Sequence, residues 1–126
     1  MALYLYLIDT NIIVDYLRKN KKAVSFLEQQ KSHKISLITV AELYQGAKNK
    51  KEFNCIKTLL SHFNILPINK ESSLLAIKLM EKYFLSSGLL ILDALIAATA
   101  IVNNLTLVTG NIKHFQMIES IKLKEF

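Results

Sequence analysis

Three acidic residues, Asp9, Glu42 and Asp93, are the side chains of this sequence best placed to do chemistry. Each lies at the edge of an apolar segment, where a solvated charge is not the default. Asp9 follows Leu3-Tyr4-Leu5-Tyr6-Leu7-Ile8 and Glu42 follows Ser36-Leu37-Ile38-Thr39-Val40-Ala41. Asp93 separates Leu89-Leu90-Ile91-Leu92 from Ala94-Leu95-Ile96-Ala97-Ala98. Three carboxylates gathered at one end of a sheet would repel one another, and a hard divalent cation such as Mg²⁺, which takes oxygen ligands, relieves that repulsion.

Helix capping is the competing account. Each acid falls near an expected helix N-terminus, where the dipole favours a carboxylate. Asp9 could cap the first helix, Asp93 an apolar one and Asn111 the last turn, while Thr39-Val40-Ala41-Glu42 fits the capping box. Capping explains each residue separately but predicts nothing about where they meet. Asp93 has apolar neighbours on both sides, and a buried charge needs a partner.

The elements that must position these acids alternate. Residues 3–8 form a continuous apolar run without helical period, which suits a strand buried on both faces. Asp9-Thr10-Asn11 then offers cap-type residues before a helical stripe of Ile12, Ile13, Tyr16 and Leu17. A second helix is expected over 23–30, burying Val24, Phe26 and Leu27. A strand over 34–38 leads into a helix over 39–47 that ends near Gly46. A helix over 51–62 buries Phe53, Ile56, Leu59 and Leu60, with Cys55 as core filler. Strand 63–68 precedes a helix over 70–84 that buries Leu74, Ile77 and Leu79 or Met80. An apolar helix over 93–102, a strand over 105–109, a helical turn over 112–115 and a last strand over 120–123 complete the chain. Strands alternating with helices imply an α/β fold with a mostly parallel sheet of about four to five strands. In such sheets ligands collect beyond the carboxyl ends of the strands, where Asp9 and Thr109-Gly110-Asn111 fall.

At 126 residues the chain reads as one domain with one core. A hydrophobic share of 52% argues against disorder and leaves apolar surface for a partner. The net charge of +6 suits an anionic partner such as nucleic acid, although charge alone is weak evidence. A single cysteine permits no intrachain disulfide and fits a reducing cytoplasm. No basic leader precedes the first apolar run, and the longest apolar stretch, 89–102, falls short of the roughly 20 residues that span a bilayer. A soluble protein is expected.

Four segments in order resemble the motifs of the PIN domain family, and within it the VapC-type toxins of toxin–antitoxin modules. They are Leu7-Ile8-Asp9-Thr10-Asn11-Ile12-Ile13-Val14-Asp15, Ile38-Thr39-Val40-Ala41-Glu42-Leu43-Tyr44-Gln45-Gly46-Ala47, Asp93-Ala94-Leu95-Ile96-Ala97-Ala98-Thr99-Ala100 and Leu107-Val108-Thr109-Gly110-Asn111-Ile112-Lys113-His114-Phe115. The resemblance spans essentially the whole chain. It implies a three-layer α/β/α fold and Mg²⁺- or Mn²⁺-dependent cleavage of RNA. By position, Asp9, Glu42 and Asp93 match the acidic metal site, and Thr10, Asn11, Thr109 and Asn111 are polar neighbours of it. Asn111 departs from the pattern, since many members carry a fourth acid there, and this puts a second tightly held metal in doubt.

The resemblance further implies an RNA substrate, a cognate antitoxin that blocks the acidic site, and a homodimer. Tyr16, Phe26, Leu43 and Tyr44 could line the antitoxin's groove or belong to the core. Two basic clusters, Arg18-Lys19 with Lys21 and Lys22, and Lys48 with Lys50 and Lys51, are either solvated helix ends or contacts for RNA phosphates. His33, His62 and His114 offer a metal-free route, but His33 falls in a polar turn, His62 near a helix end and His114 in a basic surface turn. A non-catalytic PIN-like module that binds RNA or protein is the alternative function, disfavoured by the intact acidic trio. A haloacid dehalogenase-type phosphohydrolase is more distant, because its second acid is Asn11 here.

Overall fold

The computed structural model describes residues 5–29 and 32–126. Five short strands, β1 (Tyr6–Ile8), β2 (Lys34–Ser36), β3 (Asn64–Leu66), β4 (Thr106–Thr109) and β5 (Lys122–Glu125), form one sheet in the order β3-β2-β1-β4-β5. Every pairing is parallel, with Ile8 opposite Val108 and Ser36 opposite Leu66. Six α-helices, α1 (Thr10–Leu17), α2 (Lys21–Gln29), α3 (Leu37–Gln45), α4 (Lys50–Leu60), α5 (Lys70–Ser87) and α6 (Ile91–Val102), make the connections. A 3₁₀ turn, Ile112–His114, follows β4.

The apolar run before Asp9 forms the central strand because both of its faces can be buried. Successive strand side chains point to opposite faces. Accordingly Leu7 and Leu107 join the core with α5 and α6, around Ala76, Leu79, Ala97 and Phe115. Ile8 and Val108 join the other core, with α1 to α4, around Ile12, Ile13, Leu27, Val40 and Leu43. The result is the three-layer α/β/α arrangement that the alternation and the resemblance imply.

Several local expectations shift. Helix α3 begins two residues before Thr39, and its N-cap is Ser36, whose hydroxyl accepts from the Ile38 amide at 3.0 Å. Thr39 and Glu42 are therefore helix-interior residues, not a capping box, and their side chains are free for other partners. Helix α6 begins at Ile91 with Leu90 at the N-cap and no side-chain cap, so Asp93 lies in the first turn and does not cap it. Asn111 precedes the 3₁₀ turn without a side-chain cap bond. Cys55 is exposed, one step around α4 from the buried positions Ile56 and Leu60, so it fills no core. Phe53, Leu74 and Ile77 are also exposed, because α4 and α5 bury only the stripes that begin at Ile56 and at Ser72, Ala76, Leu79 and Tyr83. The last strand lies two residues later than expected, and residues 3 and 4 of the expected first strand fall outside the described residues.

Candidate active site

Strand β1 has β2 on one side and β4 on the other, so the chain reverses its direction of winding at the β1–β4 pair. Crevices form at such reversals, at the carboxyl ends of the strands. Asp9 and Thr109 stand there side by side. The Asp9 amide continues the ladder by donating to the Val108 carbonyl at 3.0 Å.

Asp9 is 6% exposed, and both of its oxygens are held. Oδ1 accepts from the Thr10 amide at 2.8 Å, so Asp9 does cap α1. Oδ2 accepts from the Thr109 hydroxyl at 2.7 Å. Burial raises its pKa above the ordinary carboxylate value; the Thr109 and Thr10 hydrogen bonds and the nearby His114 work against that rise.

Glu42 projects from α3 to α1. The Thr10 hydroxyl donates to Glu42 Oε1 at 2.7 Å and lies 3.0 Å from Thr39 Oγ1. Thr10 thus fixes the Glu42 carboxylate next to the first turn of α1, and Thr39 steadies the Thr10 hydroxyl. This use of Thr39 was not legible from the sequence, where the residue looked like a cap.

Asp93, on the first turn of α6, retains 27% side-chain exposure, less burial than its apolar flanks suggest. Its Oδ2 lies 3.4 Å from His114 Nδ1. Burial raises its pKa; His114 opposes this, and the negative charges of Asp9 and Glu42 raise it further. Three elements therefore bring the three acids into one electrostatic field. Asp93 opens onto a cleft of about 140 Å³ walled by Gly88, Leu90, Lys113, His114 and Met117. A larger cavity of about 210 Å³ lies between Tyr16, Leu27, His33, His62 and Phe63, and none of the three acids lines it.

Among the described residues no three His, Cys, Asp or Glu side chains close around one point as a full ligand set. The donors present nonetheless fit a hard cation. They are carboxylate oxygens; burial disfavours the ionised forms of Asp9 and Asp93, the charges of Asp9 and Glu42 add to this at Asp93, and Mg²⁺ is commonly held by one or two carboxylates with water completing its shell.

The supporting residues divide. Asn111 contributes its backbone amide, which donates to Thr109 Oγ1 at 2.9 Å. Asn11 packs beneath Gly110: a Cβ at Gly110 would meet Asn11 Nδ2 at 2.8 Å. Its Oδ1 is buried without a hydrogen-bond partner. Arg18 and Lys19 are exposed at the end of α1, and Lys48, Lys50 and Lys51 are exposed around the start of α4. Leu43 is core, while Tyr16, Phe26 and Tyr44 pack half-buried against the same cluster, with Tyr44 stacked on Phe53 at 4.4 Å. His33 and His62 line the larger cavity. His114 does sit in an exposed turn, yet its ring reaches the site, which the sequence alone did not reveal.

Residues 6–118 match the PIN domain family. The chain belongs to it. Ribonuclease VapC1 of Methanocaldococcus jannaschii is 32% identical over 94% of this chain and 84% of its own length. Ribonuclease VapC2 of Rickettsia felis is 34% identical over 97% of this chain and 98% of its own. Among solved structures, VapBC2 from Rickettsia felis bound to a DNA fragment from its promoter superposes with a TM-score of 0.82 at 30% identity, covering 96% of this chain and 98% of that one. A toxin–antitoxin complex from Klebsiella pneumoniae gives 0.79 at 33%, covering 92% and 94%.

Proposed function

We propose that this PIN domain is a Mg²⁺- or Mn²⁺-dependent endoribonuclease and the toxin of a toxin–antitoxin pair. The observation that carries the reading is the acidic trio itself. Asp9, Glu42 and Asp93 come from the end of β1, the body of α3 and the first turn of α6 into one field, each held by its own donor, where burial disfavours the charges of Asp9 and Asp93. Packing and capping alone do not require such a cluster, whereas binding a cation compensates it. Relatives named as VapC ribonucleases, and solved toxin–antitoxin complexes of the same fold, support the choice of substrate and partner.

Asp9 and Asp93 would hold the cation directly. When bound, it would supply Lewis acidity toward water and toward a phosphodiester. Glu42, steadied by Thr10, is the carboxylate best placed to reach it through water or to accept the nucleophile's proton. Thr109, by donating to Asp9, favours its ionised form against the burial that opposes it. With Asn111 neutral, the site lacks the fourth carboxylate that would help to hold a second cation, so one cation is proposed. Products would carry 5′-phosphate and 3′-hydroxyl ends; 2′,3′-cyclic phosphates would refute hydrolysis by water.

The exposed Lys48, Lys50 and Lys51, with Arg18 and Lys19, supply cations for RNA phosphates. A cognate antitoxin and a second copy of the chain are the expected protein partners. Exposed Leu74, Ile77, Phe84 and Leu85 on α5, with Leu90, Ile91 and Leu92 at the start of α6, give apolar surface for such contacts. Among the described residues no helix is long and apolar enough to cross a membrane, which accords with work in the cytoplasm.

The decisive experiment is cleavage of a mixed RNA pool by antitoxin-free protein with Mg²⁺, with Mn²⁺ and with EDTA, beside Asp9→Asn and Asp93→Asn. Metal-dependent cutting lost in both variants is expected, by about 10²-fold or more. Cutting that survives EDTA would overturn the metal reading. Folded protein that cuts no RNA would favour a binding module.

A further inference from the structure

We propose that His114 is a positioning residue, which orients the Asp93 carboxylate for cation binding. The inference rests on the metal reading above. Asp9 has two donors and Glu42 has Thr10. Asp93 has neither: α6 offers no capping side chain, and among the described residues the only side chain paired with Asp93 is His114, at 3.4 Å from Nδ1 to Oδ2. A half-buried aspartate in the first turn of a helix, with no other side-chain partner, would otherwise be free to change rotamer. A ligand left to rotate must be ordered when the cation binds, and neighbours that hold it in advance commonly change metal affinity by about 10–100-fold.

The backbone that carries His114 is fixed even though its ring is exposed. Thr109 is bonded to Asp9, and the Asn111 amide is bonded to Thr109. The His114 amide donates to the Asn111 carbonyl at 3.0 Å, and the Phe115 amide to the Ile112 carbonyl at 3.1 Å. Phe115, 1% exposed, anchors the turn in the core with α5 and α6. One short segment therefore grips Asp9 at its beginning and Asp93 at its end. A neutral imidazole with its proton on Nδ1 is sufficient for this role. An asparagine amide hangs from the same Cγ position as Nδ1 and can replace it as a donor.

The test is a Mn²⁺ titration of metal-free protein, read from the spin-resonance signal of free Mn²⁺, for wild type, His114→Ala and His114→Asn. Melting in EDTA checks that all three fold. His114→Ala should bind Mn²⁺ about 10–100-fold more weakly, while His114→Asn stays within about threefold of wild type. Unchanged affinity in His114→Ala overturns the proposal. Equal weakening in both variants also overturns it, because a donor at Nδ1 would then not be what matters. Wild type that takes up no Mn²⁺ removes the metal reading itself, and this inference with it.

Discussion

Thr109→Val tests whether a single hydroxyl sustains the charge of the site. Thr109 is fully buried, and its hydroxyl donates to Asp9 Oδ2 at 2.7 Å while accepting the Asn111 amide at 2.9 Å. Valine has nearly the same shape, so little packing is lost. A hydrogen bond to a charged group contributes about 1.5–3 kcal/mol, and a buried donor left unpaired costs about 1–3 kcal/mol. The Asn111 amide is only partly buried and regains some water, so the sum is about 2–4 kcal/mol. Unfolding entropy of about 2.1 cal/mol/K per residue over 126 residues is about 0.26 kcal/mol/K, which converts that loss to a fall of about 8–15 °C in midpoint. Circular dichroism melts at neutral pH without added metal measure it directly. The Thr109 hydrogen bond lowers the Asp9 pKa, so its removal should also move the acidic limb of the pH–rate profile to higher pH. Thr109→Ser keeps the hydroxyl and should keep the limb in place. A Thr109→Val melt within about 2 °C of wild type, with an unmoved acidic limb, would refute the account of how Asp9 is held.

Asp9→Asn should raise the midpoint of the metal-free protein at neutral pH while abolishing cleavage, because burial disfavours the charge that it removes. The folded-state pKa of Asp9 lies above its unfolded value, so protonation contributes stability that is fully present below the unfolded pKa and is lost as pH rises through the folded one. The gap between variant and wild type should thus close on acidification, and urea melts at several pH values check the sign. Gly110→Ala places a methyl group 2.8 Å from Asn11 Nδ2. Asn11 must move, at about 1–2 kcal/mol, and adding Asn11→Ala should recover most of that loss in a double-mutant cycle.

Much of the architecture was written in residue order. The continuous apolar run before Asp9 suits a strand buried on both faces, and its alternation with amphipathic helices implies a mostly parallel sheet, in which ligands collect at the carboxyl ends. Asp9, Glu42 and Asp93 stood out because charge at the margin of apolar segments is costly. Their meeting was legible only through the resemblance, since no local rule relates residues 9, 42 and 93. Local patterns misled where tertiary packing decided the outcome. Thr39 and Glu42 read as a capping box, but Ser36 starts the helix and frees both side chains to meet Thr10. Cys55, Leu74 and Ile77 read as core, yet the neighbouring stripes on their helices face the sheet and α6. His114 read as a residue of a basic surface turn, because its contact with Asp93 spans 21 residues and depends on the anchoring of Phe115. Composition and periodicity set which elements form and which faces are apolar. Which donor reaches which carboxylate depends on how those elements dock, and only the folded chain contains that information.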